Sequence, residues 1–112
     1  MYSELKDLNI DNQDMGYVYV LYNPDSNLVK IGKTKAPHQR FRQLSNQNGS
    51  LFKYYISEPM FIEGIVEKIM LNKFASKRVK GEWFSSISFN YVVDILEELI
   101  NSKDFKRRNV KR

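Results

Sequence analysis

Residues 16 to 34 constrain the fold more than any other stretch. GYVYVLY at 16–22 has the β-branched and aromatic content of a strand, Asn23-Pro24-Asp25-Ser26-Asn27 is a turn, and LVKIG is a second short strand. The pattern predicts a β-hairpin. Side chains alternate across a strand, so Val18, Val20 and Tyr22 share one face and Tyr17, Tyr19 and Leu21 the other. In the second strand Val29 and Ile31 oppose Lys30. If the aliphatic faces pack the core, Tyr17, Tyr19 and Lys30 emerge together on the outer face. Gly32 follows at once, and a glycine there lets a substrate backbone or a neighbouring helix approach closely.

Further along, Pro37 suits a first helical position, and Phe41 with Leu44 gives one apolar edge to a short helix ending near Asn46. Asn48-Gly49-Ser50 is a turn, and LFKYYIS at 51–57 reads as a third strand closed by Glu58-Pro59. From Phe61 to about Ser76, apolar residues at 62, 65, 66, 69, 70 and 74 recur at helical spacing. Gly81 separates that helix from a short extended EWF. Ser88 can cap a last helix that buries Val92, Val93, Leu96, Leu99 and Ile100. The element order predicts an α+β domain with a small sheet covered by helices.

Length and charge bound the rest. A chain of 112 residues, 42% hydrophobic and 28% charged, suits one domain and excludes two full ones. No apolar run approaches the roughly 20 residues that span a bilayer, and MYSELKDLNI is acidic rather than a signal peptide. The expectation is an intracellular, cytoplasmic protein with no membrane partner, in a host cell if it is viral or from a phage. Zero cysteines remove thiol nucleophiles and thiolate zinc sites. One histidine, His38, excludes imidazole metal clusters and reads as a helix-surface residue. Chemistry must come from Tyr, Lys, Arg, Asp and Glu.

The net charge of +5 is uneven. Residues 1–15 hold one basic against four acidic residues, an acidic N-terminal arm of −3. Residues 16–102, the predicted folded domain, hold eleven against eight, and 103–112 hold six against one, a basic C-terminal tail of +5. Within the body Lys30, Lys33, Lys35, Arg40 and Arg42 occur with no acid between them. Phosphate is the natural counter-charge for such a surface, and Lys33, Lys35, Arg42, Arg78 and Lys80 are candidate nucleic-acid contacts.

Arg40 adjoins the apolar edge of its helix, from which a guanidinium can reach back over the hairpin and hold a phosphate in paired hydrogen bonds. Glu67 borders the apolar stripe of the long helix, whereas Glu63, one turn earlier, reads as more exposed. A single carboxylate with waters and phosphate oxygens is a common Mg²⁺ site.

Together, Gly16-Tyr17-Val18-Tyr19, Lys30-Ile31-Gly32-Lys33-Thr34, Arg40, Glu67 and Gly81-Glu82-Trp83-Phe84 resemble the GIY-YIG nuclease superfamily. Within it the chain is most similar to the small phage and viral subgroup with K-I-G-x-T and G-E-W-F motifs, the Orf172-type DNA-binding domains. The resemblance covers about residues 16 to 86. It implies a three-stranded antiparallel sheet flanked by helices and metal-dependent hydrolysis of DNA phosphodiesters with Mg²⁺ or Mn²⁺. Tyr19 would be the general base or orient the attacking water. A free tyrosine pKa near 10 then requires a cation nearby, and Lys30 is the candidate. Arg40 would stabilise charge in the transition state, and Glu67 would be the one protein ligand of the metal.

The departures are specific. Lys30 stands where the second motif has tyrosine, G-Y-V-Y spaces its glycine and tyrosine one residue wider than G-I-Y, so Tyr17 is an alternative to Tyr19, and Leu71 stands where many relatives have histidine. Trp83 and Phe84 read as core anchors, with Glu82 paired to a backbone or basic group. Two other function classes therefore stand beside a nuclease or nicking enzyme. One is a non-catalytic DNA-binding module of the same fold; the other is an interaction protein whose tail binds RNA or an acidic partner. No groove-reading element accompanies the domain, so specificity would come from a homodimer or a separate targeting partner.

Overall fold

The hairpin forms as its residues dictate. In the computed structural model, which describes residues 15–39, 41–42 and 52–110, β1 (Tyr17–Asn23) pairs antiparallel with β2 (Leu28–Thr34) from Tyr17↔Thr34 to Asn23↔Leu28. The turn closes with side chains as well as backbone. Asn23 Oδ1 accepts the Asp25 N–H at 2.9 Å, and Asn27, at φ 57°, donates its N–H to the Asn23 carbonyl at 2.8 Å. Tyr22 donates its hydroxyl to Asn27 Oδ1 at 2.9 Å, bracing the turn against the strand.

β3 (Lys53–Ile56) joins the other side of β1, with Leu21 opposite Tyr54. The sheet then extends beyond the expected three strands. β4 (Arg78–Lys80) and β5 (Trp83–Phe84) make it five-stranded and wholly antiparallel, in the order β3-β1-β2-β5-β4. The additional strands are three and two residues long, too short for alternation to announce them. Register does it instead: Phe84 lies opposite Val29 and Trp83 opposite Lys30.

Two helices cover the face carrying Val18, Val20, Val29 and Ile31. α1 (Glu63–Lys73) contributes Val66 and Met70, and α2 (Phe89–Ile100) contributes Val92, Leu96 and Ile100. Ser88 caps α2, accepting the Tyr91 N–H at 2.9 Å. A cap is worth about 1 kcal/mol, whereas each fully buried aliphatic side chain contributes about 1.5–3 kcal/mol, so packing fixes α2 and the cap sets where it starts. α1 has no side-chain cap at all and depends on packing.

α1 stops at Lys73, short of the expected Ser76. Phe74 turns its ring into the core, and a 3-10 turn over Ala75–Lys77 swings the chain so that Arg78 can begin β4. The expected extended EWF is β5 and its lead-in. Met60 bridges Gly16 through two backbone hydrogen bonds of 2.8 Å, tying the start of β1 to the approach to α1.

The segment read as a basic tail contains α3 (Lys103–Arg108), capped by Ser102, whose hydroxyl accepts the Phe105 N–H at 3.1 Å. Phe105 is buried in the main core. Past its end, Asn109 Oδ1 accepts the Phe61 N–H at 2.7 Å. The opposite face of the sheet carries a smaller cluster of Tyr19 and Leu21 under Phe41, near a helical turn that includes residues 37–39. The expected arm at 1–14, Arg40, and the helix end and turn at 43–50 lie outside the described residues. Among the described residues no helix is long and apolar enough to cross a membrane.

Candidate functional site

β2 positions the site because its two edges are covered to different lengths. β1 follows it through Thr34, but β5 pairs only with Val29 and Lys30. The last backbone bond on that side is the Ile31 N–H to the Glu82 carbonyl at 3.2 Å. The chain around Gly32 and Lys33 is thus left for side chains to occupy.

Tyr19 takes the outer face. It sits opposite Gly32 in register, and its ring lies across that glycine so closely that a Cβ there would be 2.4 Å from the hydroxyl oxygen. The ring is 2% exposed and meets Phe41 edge-on at 5.4 Å; Phe41 in turn stacks on Tyr54 at 4.7 Å. Tyr17 is one step away on the same face, opposite Thr34 and half-buried. Lys30 also emerges on this face, its Nζ 5.7 Å from the centre of the Trp83 ring. Phe84 is a fully buried core anchor, while Trp83 is half-buried and serves as the platform for Lys30.

α1 supplies the carboxylates. Glu67 is 7% exposed, and its Oε2 is buried without a hydrogen-bond partner among the described residues. Its hydrogen-bonding neighbour is Glu82, so the residue expected to pair with a backbone or basic group also meets a second carboxyl. Burial first, then the hydrogen bond and the charge of Glu82, push the Glu67 carboxyl up to about 7, while the ammonium groups of Lys33 and Lys30 act in the opposite direction. The glycine at 81 makes this meeting possible. Lys80 pairs with Trp83 across a two-residue loop, and Gly81 takes φ 56° at its first position, delivering Glu82 beside β2.

Glu63 is more buried than its sequence position implied. Its side chain is 13% exposed, packed over Gly16, with Oε1 3.7 Å from Lys35 Nζ and Oε2 buried without a hydrogen-bond partner among the described residues. Lys33 lies against the first turn of α1, where a Cβ on Gly64 would be 3.4 Å from its Nζ.

Of the residues proposed from sequence, Lys33 and Glu67 lie on the α1 side of β2, with Lys35 one turn of α1 away, whereas Tyr19 and Lys30 emerge on the opposite face of the same stretch of strand. Arg42 is exposed. Arg78 and Lys80 lie on the outermost strand, Arg78 5.8 Å from the Phe84 ring centre, away from the carboxylates' strand neighbour β2. Leu71 packs against the core, and His38 is exposed. Sequence reasoning missed Glu82 as the partner of Glu67. The signal available was Gly81-Glu82, a left-handed position followed by an acid.

Chemically, the α1 side combines a buried carboxyl pushed up to about 7 with a second carboxyl and Lys33 beside it, and the outer face of β2 carries Lys30 and the Tyr19 hydroxyl. Among the described residues no group of three or more His, Cys, Asp and Glu could hold a metal. No curated protein and no solved structure matches the chain significantly. The T5orf172 domain model, by contrast, matches residues 16–101, from the glycine under Glu63 to the end of α2 and thus every residue of this cluster, and the chain belongs to that family.

Proposed function

We propose that this T5orf172 domain is a metal-dependent DNA endonuclease or nicking enzyme of the GIY-YIG kind. The observation that carries the reading is Glu67: a carboxyl nine-tenths buried with an orphaned oxygen, surrounded by Glu82, Lys33 and Lys30. Burying such a group is costly unless something uses it. Lys33 on the α1 side suits a phosphate diester, and Lys30 and Tyr19 bring an ammonium group and a hydroxyl to the opposite face of the same stretch of β2.

A hard divalent cation fits the donor set. Among the described residues Glu67 Oε2 lacks a hydrogen-bond partner, the donors are carboxylate oxygens, and waters with phosphate oxygens would fill the remaining positions, as Mg²⁺ or Mn²⁺ prefers. When bound, the ion would offset charge on the scissile phosphate and its leaving oxygen. The protein's own part is to hold DNA through Lys30 and Lys33, to orient water or accept its proton at the Tyr19 hydroxyl, and to keep the Glu67 carboxylate in place. Arg40 completes the set as the transition-state cation. DNA is the partner, with a second copy or a targeting protein supplying specificity.

A second reading, a DNA-binding module without cleavage, is favoured by one observation: Glu67 shares a hydrogen bond with Glu82 rather than standing open. Plasmid incubation with Mg²⁺ or Mn²⁺ separates the two. Nicking by the wild type that is abolished by Glu67→Ala is the expected result. A folded protein that never cuts, or a Glu67→Ala variant that cuts equally well, sinks the nuclease reading.

A further inference from the structure

The carboxylate beside Glu67 is held by backbone, not by chance contact. Its carbonyl accepts the Ile31 N–H at 3.2 Å, the next residue pairs with Lys30, and the preceding Gly81 fixes the turn at φ 56°. Side-chain direction at 82 is therefore set on both sides. Opposite it, Glu67 Oε2 is buried and without a hydrogen-bond partner among the described residues. Two like charges side by side are stable only with a proton or a cation between them. Among the described residues neither Lys30 nor Lys33 forms a salt bridge with Glu67 or Glu82.

We propose, resting on the nuclease reading above, that Glu82 is the second carboxylate of a divalent-cation site shared with Glu67. Two oxygen-bearing side chains with the remaining positions left to water and phosphate match the preference of Mg²⁺ and Mn²⁺ for few protein ligands. The site then spans β5's turn and α1, and its cation sits where β5 stops following β2. Glu82 thereby becomes a functional residue rather than the stabiliser of the G-E-W-F segment.

The test uses the full chain with Mn²⁺ alone as the probe, reading affinity by titration calorimetry and melting temperature with and without the ion. Wild type should bind one Mn²⁺ and melt at higher temperature with it. Glu82→Gln should melt without metal at least as high as wild type, because a like-charged neighbour is gone, yet bind Mn²⁺ at least tenfold more weakly. Glu82→Asp, which keeps the charge on a shorter arm, should retain part of that affinity. Plasmid nicking should fall with Mn²⁺ affinity in both variants. Undiminished Mn²⁺ affinity in Glu82→Gln, or no Mn²⁺ binding by wild type at millimolar concentration, overturns the proposal. So does a Glu82→Asp variant no better than Glu82→Gln. Failure of the nuclease reading looks different: Glu67→Gln then nicks like wild type, whatever Glu82 variants bind.

Discussion

A methyl group at position 32 would meet the Tyr19 hydroxyl oxygen at 2.4 Å and the ring carbon bearing it at 2.5 Å. The ring is 2% exposed and wedged against Phe41, so it cannot swing aside cheaply. Gly32→Ala should therefore cost about 1–3 kcal/mol by overpacking. Truncating the ring in a Tyr19→Ala background should cancel most of that cost. Urea melts of the two single variants and the double variant measure this coupling, and simple additivity would place the ring elsewhere. Glu67 makes a second residue-scale prediction, on pH. Its carboxyl rises from 4.5 to about 7 in the folded chain, so between those values the folded state holds a proton that the unfolded state has released. Stability should fall as pH rises through that window, by on the order of 2 kcal/mol, with the loss complete above about 7. The proton belongs to the Glu67–Glu82 pair. Glu67→Gln should remove this component, and a variant whose stability tracks pH as wild type does between 4.5 and 7 would contradict it.

At the scale of elements, the residues that were readable are those whose partners are near in sequence or whose periodicity is long. The β1–β2 hairpin, α1 and α2 follow from alternation, turn residues and a stripe of apolar side chains. β4 does not, and of β5 only an extended EWF is readable, since strands of three and two residues carry no pattern; the pairing of β5 with β2 and of β4 with β5 makes them strands. The candidate site divides in the same way. Tyr19 opposite Gly32 follows from hairpin register, whereas the meeting of Glu67 with Glu82 depends on where α1 and the β4–β5 turn dock, and the burial of Glu63 depends on Gly16, far away in the chain. α3 was hidden for a related reason: a single phenylalanine among four basic residues reads as a solvated run until Phe105 is seen in the core. Phe105→Ala should accordingly cost about 3–5 kcal/mol, the range for a large aromatic lost from a core. Chemical denaturation provides the check. A loss below 1 kcal/mol would mean that α3 is an appendage after all.

For the whole molecule, charge and stability have to be separated before any DNA-binding result can be interpreted. Deleting 103–112 would remove five net positive charges together with Phe105 and the Asn109 bond to Phe61, so weaker binding by such a truncation could reflect either loss. Arg107 and Arg108 offer a cleaner change. Both are surface residues paired to the exposed Asp104, at 2.8 and 3.6 Å, and exposed pairs contribute little to stability. Changing both to glutamine should leave the urea midpoint nearly unmoved. The Asn109 bond ties the end of α3 to Phe61, two residues before α1, and α1 begins with the Glu63 that faces Lys35. The expectation to test is that a duplex held at Lys33 also meets the basic residues of α3. Salt dependence reads this directly, because each phosphate contact contributes about 0.9 to the slope of log affinity against log salt. Lys33→Gln should lower the slope by about 0.9, and the Arg107→Gln, Arg108→Gln pair by a further ~1–2, with affinity for unrelated duplexes falling in parallel. Fluorescence anisotropy between 50 and 200 mM salt, about the range over which such contacts are most visible, is the measurement. An unchanged slope in the double arginine variant would confine the DNA to the β2 face and leave the basic charge of α3 without a part in binding.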